Sequence, residues 1–390
     1  MKVLVLGGGA QGKATIYDLS KNKDIKQITV VEYNLDQIVS FIEKLNDKRI
    51  IVLKKDANKK EEILPLIKKH DIIIDLLPTN FRKKITALAI ETKKPLVNTS
   101  FLSNIKDFAE DAEEAGVLIM PESGLDPGID LILAGKAVKG FDRITSIESS
   151  CGGVPTPEAA SNPISYKISW NFEGVLKAYK RDASLVRGSK KMPINGKDIF
   201  NYAENIEIEG VGLFERYPNG FSTTYARQLG IRAEVENVGR YTLRWPGHCA
   251  FWKKISELGL LDEEEILGVP PIKYLSHALS PKLQYKEDER DMIVLRNEII
   301  GDINGKTIKK IQQVVDKKDK ESGLMAMNRT VGFTASIVAQ MILNKKIKGI
   351  GILNPALDVP QEEFIEELRT RGIEVKEWEE EIREEEEEEL

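Results

Sequence analysis

The sequence predicts an α/β fold in which a doubly wound parallel sheet is followed by a second domain of α+β type. Two observations predict the parallel sheet. Apolar strand-like runs alternate with helical segments as far as Gly124, and the first of these runs leads directly into a glycine-rich loop. A third observation predicts the second domain, because glycine, proline and aromatic residues become frequent after Gly124 and the alternation stops. A chain of 390 residues is also long for one compact core.

The strands of the first domain are predicted from short runs rich in β-branched residues and leucine. These runs are residues 2–6, 27–31, 49–53, 71–77, 95–98 and 117–120. Helical spacing is found between them, at residues 14–20, 35–45, 60–69, 83–92 and 107–115.

The second half of the chain is less regular. Strands are expected at residues 144–150 and 240–245, a helix at 251–258 and a charged loop at 316–321. A buried helix at 334–343, an amphipathic helix at 361–371 and a short run at 373–375 are expected to return to the first domain. We therefore predict a first domain from residues 1–125 and about 325–376, and a substrate and dimerisation domain from residues 126–324.

The loop Gly7-Gly8-Gly9-Ala10-Gln11-Gly12, hereafter the glycine loop, has the spacing of a dinucleotide site. In such a site the first glycine makes the turn, the second lets the backbone approach the pyrophosphate, and the third lets the helix pack on the strand. Free N–H groups and the helix dipole then hold the pyrophosphate, which makes Gly7, Gly9, Ala10, Gln11 and Gly12 cofactor-binding candidates. The alternative is a glycine turn without a ligand, but the strand before it and the helix after it favour a Rossmann-type domain.

Glu32 is expected at the end of the second strand, 20 residues after Gly12. A carboxylate there accepts hydrogen bonds from the 2′-hydroxyl of the adenosine ribose and repels a 2′-phosphate. NAD is therefore the expected cofactor, with NADP possible because Lys54 and Lys55 are close in sequence to the third strand's end. A merely solvated carboxylate is the alternative.

Further loops are expected to line the same crevice, since ligands bind at the carboxyl ends of parallel strands. Leu77 and Pro78 follow the fourth strand, and Thr99 and Ser100 follow the fifth. Ordinary turn chemistry explains either loop equally well. Asp126, in the run ESGLDPGID after the sixth strand, either caps a helix or binds a substrate amine.

Three segments of the second half hold candidate substrate residues. Cys151 and Gly152 follow a predicted strand, and the alternative to a pocket role is simple packing. Tyr166 and Lys167 offer a phenol and an ammonium group to a substrate carboxylate, unless they belong to a strand with exposed lysines. Lys167 is therefore a candidate catalytic residue as well.

Arg244 and His248 share the run YTLRWPGH. An arginine among apolar residues needs a carboxylate partner, which is either a structural acid or the substrate's α-carboxylate. His248 follows a Pro-Gly turn and is either a general base or a structural histidine. With three His and two Cys in the chain and no ligand-like spacing, no metal site is expected.

Composition excludes several classes. The net charge of −5 argues against a nucleic-acid binder, and residues 377–389 hold ten Glu against one Arg. We predict that residues 377–390 form a disordered acidic tail, the alternative being a docking tail for a basic partner. Two cysteines do not make a disulfide framework, no signal peptide is expected before the strand at Lys2, and no apolar run reaches membrane-spanning length. A cytoplasmic protein is expected.

Several strings in the second half together resemble the glutamate-forming saccharopine dehydrogenases, also called saccharopine reductases, and their relatives the lysine 6-dehydrogenases. The strings occur in order as GLDPGID (124–130), CGGVPTPEAASNPISYKISW (151–170), YPNGFSTTY (217–225), TLRWPGH (242–248), ERDMIVLR (289–296) and MNRTVGFTASIVAQMIL (327–343). The resemblance spans nearly the whole chain except the acidic tail. It implies a Rossmann domain, a substrate domain and a small helical part.

The resemblance also implies residue roles. In saccharopine reductases the substrate region includes the positions that match Ser100, Asp126, Cys151 and the YPN stretch, and on that stretch we include Ser222. After YPN the family typically has Arg-Asp-Ser, whereas here the run is Asn219-Gly220-Phe221-Ser222. The lost arginine leaves a carboxylate of saccharopine less well held and favours lysine, which has one carboxylate. The DPG and PEAASNP runs favour saccharopine.

We therefore predict an NAD(P)-dependent oxidoreductase that transfers hydride at the C–N bond of a lysine-derived amino acid. L-lysine 6-dehydrogenase is the alternative, followed by carboxynorspermidine dehydrogenase and a non-catalytic NAD-binding protein. Asp126 is expected to orient the amine, and Asp126, His248 or water to take its proton, while Arg244 or Lys167 holds a carboxylate. A homodimer is expected because dimers are common among such enzymes.

Overall fold

The computed structural model describes residues 1–231 and 235–383. Its strands, in chain order, are β1 (Lys2–Leu6), β2 (Gln27–Glu32), β3 (Ile50–Lys54), β4 (Ile72–Asp75), β5 (Leu96–Asn98), β6 (Leu118–Met120), β7 (Arg143–Pro155), β8 (Ala183–Arg187), β9 (Lys190–Ile194), β10 (Glu204–Ile208), β11 (Gly212–Pro218), β12 (Asn237–Arg244), β13 (Asp291–Ile303), β14 (Lys306–Lys317), β15 (Gly351–Ile352) and β16 (Val375–Glu381). Its α-helices are α1 (Ala10–Lys21), α2 (Val39–Leu45), α3 (Lys60–Lys69), α4 (Arg82–Thr92), α5 (Ala109–Glu114), α6 (Ile129–Ala137), α7 (Phe172–Ala178), α8 (Ser222–Gln228), α9 (His248–Glu257), α10 (Pro271–Leu279), α11 (Ala326–Leu343), α12 (Pro355–Asp358) and α13 (Gln361–Thr370).

The chain divides into two compact units. Unit 1 contains Met1–Ile132 and Met327–Ile373, and unit 2 contains Leu133–Ala326 and the residues from Glu374 onward. The first boundary lies at Ile132, inside α6, whereas the second domain was expected to begin at residue 126.

Unit 1 holds a parallel sheet with the strand order β15-β6-β5-β4-β1-β2-β3. Residues Val3 to Leu6 of β1 have no exposed surface, which is typical of a parallel strand covered on both faces by helices. The chain runs outward from β1 to β3 and then returns to β4 beside β1, so the order reverses between β1 and β4. In such sheets the ligand crevice lies at this reversal, outside the carboxyl ends of the strands. The predicted doubly wound Rossmann fold is confirmed.

Helix α11 belongs to unit 1 from Met327 onward and packs against α1. The hydroxyl of Thr15 donates to the Gly332 carbonyl at 2.9 Å, and a methyl group at Gly332 would lie 2.6 Å from the Gln11 carbonyl oxygen. The glycine is needed for this close helix contact. The sequence predicted the buried helix but placed its start eight residues too late.

Unit 2 is built on a mixed sheet with the order β10-β11-β12-β7-β13-β14-β16, and the hairpin β8–β9 pairs with β12. Strand β7 runs from Arg143 to Pro155 and so extends beyond its predicted limits of 144 and 150. Strand β14, from Lys306 to Lys317, was not predicted. The expected loop at 316–321 therefore begins inside a strand. Tyr166 and Lys167 lie in an irregular segment rather than on a strand.

Strand β16 enters the region that the acidic pattern assigned to a disordered tail. It pairs with β14 in unit 2 instead of closing unit 1. Its acidic residues face lysines, as Lys136 contacts Glu377 at 2.6 Å and Lys306 contacts Glu381 at 2.9 Å. A run of glutamates predicts self-repulsion, but lysines compensate the charges of Glu377 and Glu381. Residues 384–390 of the predicted tail lie outside the described residues.

No helix in the described ranges is both long and apolar enough to cross a membrane. Within those ranges there is also no group of three His, Cys, Asp or Glu side chains placed to hold a metal ion.

Candidate functional site

The glycine loop of unit 1 has three glycines with three different reasons to be glycine. Gly7 has φ +99°, and a methyl group there would lie 3.0 Å from the Leu76 carbonyl oxygen. A methyl group at Gly12 would lie 2.1 Å from the Gly7 carbonyl oxygen, which makes glycine necessary where α1 meets the loop. A methyl group at Gly9 would have no atom of the described residues within 4 Å, so this position offers the backbone to a ligand.

Helix α1 begins at Ala10, directly after Gly9. Its first N–H groups, on residues that include Ala10 and Gln11, have no partner within the helix, and no described side chain caps them. They and the positive end of the helix dipole form a place for an anion such as a pyrophosphate.

Glu32 at the end of β2 holds the same loop. Its Oε2 accepts the Gly8 N–H at 2.7 Å, and its Oε1 accepts the N–H groups of Tyr33 at 2.8 Å and Asn34 at 3.0 Å. The carboxylate thus lies against the glycine loop, and its contact with a ribose stays a prediction. Lys54 is its neighbour in the register of β3, while Lys55 lies 3.8 Å from Glu62.

The ends of β4 and β5 carry the other predicted loops. The Leu77 N–H donates to Asp75 Oδ1 at 3.1 Å, and Pro78 follows as the residue before a short 3-10 turn. The Ser100 N–H donates to Asn98 Oδ1 at 3.0 Å, and its hydroxyl oxygen accepts the Nε–H of Arg82 at 2.9 Å. Thr99 lies next to Gly124, where a methyl group would be 3.5 Å from its Cβ. These loops therefore lie at the carboxyl edge of the sheet, as predicted.

Asp126 is partly exposed in the turn that follows β6, and its bond to Pro127 is cis. The turn is closed by the Gly124 N–H, which donates to the Pro127 carbonyl at 3.0 Å. Asp130, at the start of α6, is fully buried and accepts the Gly128 N–H at 2.7 Å. Burial raises the pKa of Asp130 to about 7, and the Glu122 carboxyl group contributes to that shift. The turn that contains Asp126 is therefore held in part by the buried carboxyl group of Asp130, through its hydrogen bond from the Gly128 N–H.

In unit 2, Arg244 at the end of β12 is buried with 6% of its surface exposed. Its Nη1 donates to the Leu243 carbonyl at 2.8 Å, and its guanidinium carbon lies 5.4 Å from the centre of the Tyr166 ring. Its Nε–H is buried and has no hydrogen-bond partner, and among the described residues no carboxylate pairs with the guanidinium. A buried cation without a counter-charge is costly, so this group is suited to receive a carboxylate from a ligand.

Aromatic side chains surround Arg244. We define the Arg244 cluster as Arg244 with Tyr166, Tyr179, Tyr217 and His248. Burial raises the pKa of Tyr217 to about 12 and that of Tyr179 well above its usual value, although the charge of Arg244 opposes both shifts. Both phenols therefore stay protonated at neutral pH and act as hydrogen-bond donors.

His248 is the first residue of α9 and is buried. Its Nε2 lies 2.8 Å from the Tyr179 hydroxyl, and its ring also bonds the Ile164 backbone. Burial lowers its pKa well below the usual value, and the charge of Arg244 lowers it further. A neutral histidine with both ring nitrogens in use fits a structural role, and this geometry gives no support to the predicted role as a general base.

Lys167 is buried, and its ammonium group forms an ion pair with Glu289. Burial alone would raise the pKa of Glu289, but hydrogen bonds from Lys167 and from the Lys286 N–H lower it. The Lys167 nitrogen also lies 5.8 Å from the centre of the Tyr285 ring. The ammonium group therefore already has an acid, and the prediction that it holds a substrate carboxylate gains nothing from this contact.

Cys151 lies in the middle of β7 and is buried as a free cysteine. Its partner in the sheet is Thr242, which in turn pairs with Tyr217, so Cys151 shares a sheet face with Arg244. Gly152 points to the opposite face, where a methyl group would lie 2.3 Å from the Leu243 carbonyl oxygen. The packing of β12 on β7 thus explains Gly152 without the close ligand approach on which its prediction depended.

Ser222 has no exposed surface, and its hydroxyl oxygen accepts the Arg240 N–H at 3.2 Å. It therefore joins α8 to β12. Gly220, where the family typically has arginine, has φ +70° and open space beyond its Cα. An arginine would fit there sterically but would strain the backbone.

Sequence reasoning missed several residues of these two sites. Tyr179, Tyr217 and Tyr285 were not singled out, although the Tyr285 hydroxyl is buried without a hydrogen-bond partner in the described part of the chain. Glu215 on β11 accepts the N–H groups of Gly247, at 3.2 Å, and of Cys249, and so caps α9 beneath His248. Only Tyr217 stood in a string that had been recognised. The others carry no local signal, because their importance comes from contacts distant in sequence.

The chain matches two family models. The model described as "Saccharopine dehydrogenase NADP binding domain" matches residues 3–120, and that described as "Saccharopine dehydrogenase C-terminal domain" matches residues 124–373. Both matches follow the two-part organisation seen in the sequence.

Curated relatives and a solved structure carry the same name. The chain is 32% identical to the saccharopine dehydrogenase [NADP(+), L-glutamate-forming] of Schizosaccharomyces pombe over 84% of this chain and 70% of that protein. It is 28% identical to the enzyme of that name from Saccharomyces cerevisiae over 96% and 98% of the two chains. The apo structure of the Saccharomyces cerevisiae saccharopine dehydrogenase (L-Glu forming) superposes with a TM-score of 0.87 at 26% identity, covering 98% of this chain and 100% of that one.

Proposed function

Since the chain belongs to the saccharopine dehydrogenase family, we propose that it oxidises saccharopine and releases L-glutamate. It is an NAD(P)-dependent oxidoreductase of the saccharopine dehydrogenase type, acting on a CH–NH group. The substrate is proposed from the printed names of the relatives, which specify L-glutamate formation. Cofactor binding is assigned to unit 1 and recognition of a substrate carboxylate to unit 2.

The observation that carries the proposal is that, among the described residues, the buried Nε–H of Arg244 has no hydrogen-bond partner and no carboxylate pairs with its guanidinium. A bidentate arginine–carboxylate contact is among the strongest hydrogen-bonded pairs in proteins, and the buried Nε–H is one of the two donors that such a contact uses. The neutral Tyr217 phenol of the Arg244 cluster adds a further donor, whereas the Tyr179 hydroxyl is engaged with His248. A tricarboxylate such as saccharopine supplies the missing counter-charge, whereas a polyamine without a carboxylate does not.

The proposed chemistry begins at the substrate nitrogen, which must lose a proton before its neighbouring carbon releases hydride. Bound NAD(P) supplies the hydride acceptor, C4 of the nicotinamide ring. The electron pair of the C–H bond leaves with the hydride, and the C–N single bond becomes an imine. Water then adds to the imine carbon, the C–N bond breaks, and an aldehyde and L-glutamate are released.

We assign the proton transfer to Asp126 rather than to His248. Asp126 is partly exposed and held in a defined turn, whereas both ring nitrogens of His248 are engaged in hydrogen bonds. Water is the remaining acceptor considered. Ser100 and Cys151 are proposed to contact the substrate, Ser100 through its hydroxyl group.

We also propose that NAD is preferred over NADP, although the matching domain model and the relatives are named for NADP. The carboxylate of Glu32 lies against the glycine loop, where it would repel a ribose 2′-phosphate. Arg49, the nearest arginine in sequence to Lys54 and Lys55, is already engaged by Asp47 and the carbonyl groups of Asn22 and Ile25. No arginine of that segment is left to bind the phosphate.

Initial rates decide between the candidate substrates. The purified protein is assayed with NAD and NADP against saccharopine, L-lysine and carboxynorspermidine. We expect kcat/KM for saccharopine to exceed kcat/KM for lysine at least about 100-fold, because saccharopine has two more carboxylates than lysine and each can form a strong polar contact. Turnover of lysine without saccharopine would instead identify an L-lysine 6-dehydrogenase, and NADH binding without any turnover would identify a non-catalytic NAD-binding protein.

Gly220 offers a second test. Gly220→Arg restores the arginine found in the family, and Gly220→Ala imposes the same backbone strain at φ +70° without the charge. If the missing charge limits saccharopine binding, KM should be about 3- to 10-fold lower in the Arg variant than in the Ala variant, a difference worth roughly 1 kcal/mol. Equal KM values for the two variants would show that the missing charge at Gly220 does not affect substrate preference.

We further propose a cytoplasmic homodimer. Both cysteines are buried and neither is in a disulfide, which fits a reducing compartment, and dimers are common among such enzymes. Sedimentation equilibrium of the purified protein tests the dimer, and fractionation of the cells that express it tests the compartment.

A further inference from the structure

Arg82, the first residue of α4, is an unusual feature of unit 1 because its guanidinium is almost fully buried at the carboxyl edge of the sheet, with 2% of the residue exposed. Its Nη1 donates to the Asp75 carbonyl at 2.8 Å and lies 2.5 Å from Asp75 Oδ2. Its Nη2 donates to the Leu77 carbonyl at 3.0 Å, and its Nε–H donates to the Ser100 hydroxyl oxygen at 2.9 Å. One side chain therefore joins the end of β4, the loop after it and the loop after β5.

Two of these partners belong to the proposed site. Leu77 is a cofactor-binding candidate, and the backbone just before it lies against the glycine loop, since a methyl group at Gly7 would be 3.0 Å from the Leu76 carbonyl oxygen. Ser100 is a substrate-binding candidate. The third partner, Asp75, supplies the negative charge that makes burial of the guanidinium tolerable.

The direction of the Ser100 contact has a chemical consequence. A guanidinium has only donors, so the Ser100 oxygen must accept. The hydroxyl hydrogen is then left for another partner, and a cation bound to the oxygen makes that O–H a stronger donor. A serine held in this way is suited to donate its O–H to a carboxylate or carbonyl oxygen of a ligand, since Arg82 takes one of the two lone pairs of its oxygen.

We propose that Arg82 is a positioning residue of the reaction, which fixes Ser100 as a hydrogen-bond donor to the substrate and holds the Leu77 loop against the cofactor. This inference rests on the proposed function, because it takes Ser100 to contact the substrate. The inference goes beyond the proposed function in two ways. It states that Ser100 donates a hydrogen bond to the substrate, and that this geometry depends on Arg82, which does not itself touch the ligand. A lysine at this position keeps the charge beside Asp75 but does not reach three segments with fixed geometry.

The test compares Arg82→Lys, Ser100→Ala and the double variant with the wild-type protein. Each single change should raise KM for saccharopine about 10-fold, the value of one polar contact, with kcat less affected. The double variant should be no worse than Ser100→Ala alone, because the two residues act through one hydrogen bond. A purely structural Arg82 would give a double variant whose KM increase is the product of the two single increases, and that result would overturn the proposal.

Arg49→Lys is the matched control. Arg49 also joins several backbone segments of unit 1 and pairs with an acid, but it lies among Asn22, Ile25 and Asp47, away from the crevice. It should lower the melting temperature without changing KM for saccharopine. An equal rise of KM in Arg49→Lys and Arg82→Lys would show a general loss of stability and contradict the proposal. If neither Arg82→Lys nor Arg82→Gln folds, Arg82 acts in stability alone and the proposal falls.

A binding measurement separates this proposal from the proposed function. The dissociation constant of NADH, measured by fluorescence, should rise several-fold in Arg82→Lys, because the Leu77 carbonyl loses its hydrogen bond from the guanidinium. If wild-type protein does not oxidise saccharopine, the proposed function fails, while unchanged NADH binding in Arg82→Lys would independently refute the role of Arg82.

Discussion

The glycine loop of unit 1 consists of backbone groups, whereas the Arg244 cluster of unit 2 consists of side chains. The glycine loop is six consecutive residues, and its working parts are backbone N–H groups and the absence of side chains at Gly7, Gly9 and Gly12. The Arg244 cluster is made of side chains from separate segments of the chain. A site made of backbone in one turn is encoded locally, whereas a site made of buried side chains exists only after the sheet has formed.

The largest expected effects distinguish two glycines of the same loop. Gly12→Ala places a methyl group 2.1 Å from the Gly7 carbonyl oxygen, so the free energy of unfolding should fall by about 3 kcal/mol or more. Gly9→Ala meets no atom of the described part of the chain within 4 Å and should change that free energy by less than about 0.5 kcal/mol. It should nevertheless weaken NADH binding at least about 10-fold, because the methyl group blocks the approach of a pyrophosphate.

Urea unfolding and NADH fluorescence titration check both variants. NADH binding unchanged in Gly9→Ala would break the contrast, because the open face of the loop would then have no ligand.

Asp130 tests whether unit 1 also depends on buried side-chain chemistry. Its pKa in the folded protein, about 7, is above the usual 3.8, so the folded state prefers the neutral acid. Stability from this group is complete below pH 3.8 and is lost as the pH rises toward and through 7. Between pH 5 and pH 8 the wild type should therefore lose up to about 3 kcal/mol relative to Asp130→Asn, which keeps an acceptor for the Gly128 N–H.

Urea unfolding at pH 5, 6, 7 and 8 measures this difference. Parallel pH profiles for the wild type and Asp130→Asn would show that the carboxyl group ionises freely in the folded protein.

Arg244→Gln removes the proposed carboxylate receptor of unit 2. KM for saccharopine should rise about 10- to 100-fold, corresponding to the roughly 1.5–3 kcal/mol of a charged hydrogen bond, and KM for the cofactor should not change. Arg216→Gln is the control, because Arg216 on the neighbouring strand β11 already pairs with Glu148 and Glu204. A similar rise of KM in both variants would assign the effect to the sheet rather than to the guanidinium of Arg244.

Glu32→Gln should have the smallest effect of the four. Removing the charge beside the glycine loop should raise the ratio of kcat/KM for NADP to that for NAD about 10-fold, since one repulsive contact is relieved. Asp36→Asn removes the same charge four residues later and should leave the ratio unchanged. A wild-type enzyme that already prefers NADP would contradict the argument from Glu32.

The two sites differ in how far the sequence predicted them. The strands and helices of unit 1 were found because apolar runs alternate with amphipathic ones, and the spacing of the glycines located the cofactor loop within a few residues. In unit 2 the strands β7 and β12 were found, but Tyr166 and Lys167 lie in an irregular segment. Ser222 and Gly152 are buried for reasons of packing that no local pattern indicates.

The acidic end of the chain shows the same limit. A run of glutamates predicts self-repulsion when it is considered alone. In the folded protein the first of these residues pair with lysines of β14 and α6, which are distant in sequence, and form β16. Both the glutamates and these lysines can be identified in the sequence, but no local pattern indicates that they are in contact.

The sequence by itself determined the doubly wound sheet, the glycine loop with Glu32, and the resemblance to the saccharopine dehydrogenases. These depend on periodicity and on residues close together in the chain, where covalent geometry limits the possible contacts. Only the tertiary structure decided that Arg244 has no acid partner among the described residues and that Lys167 has one. It alone also decided that both nitrogens of His248 are engaged and that Arg82 joins Ser100 to the Leu77 loop. Whether a buried polar group is satisfied depends on neighbours brought together by folding, and its chemistry follows from that.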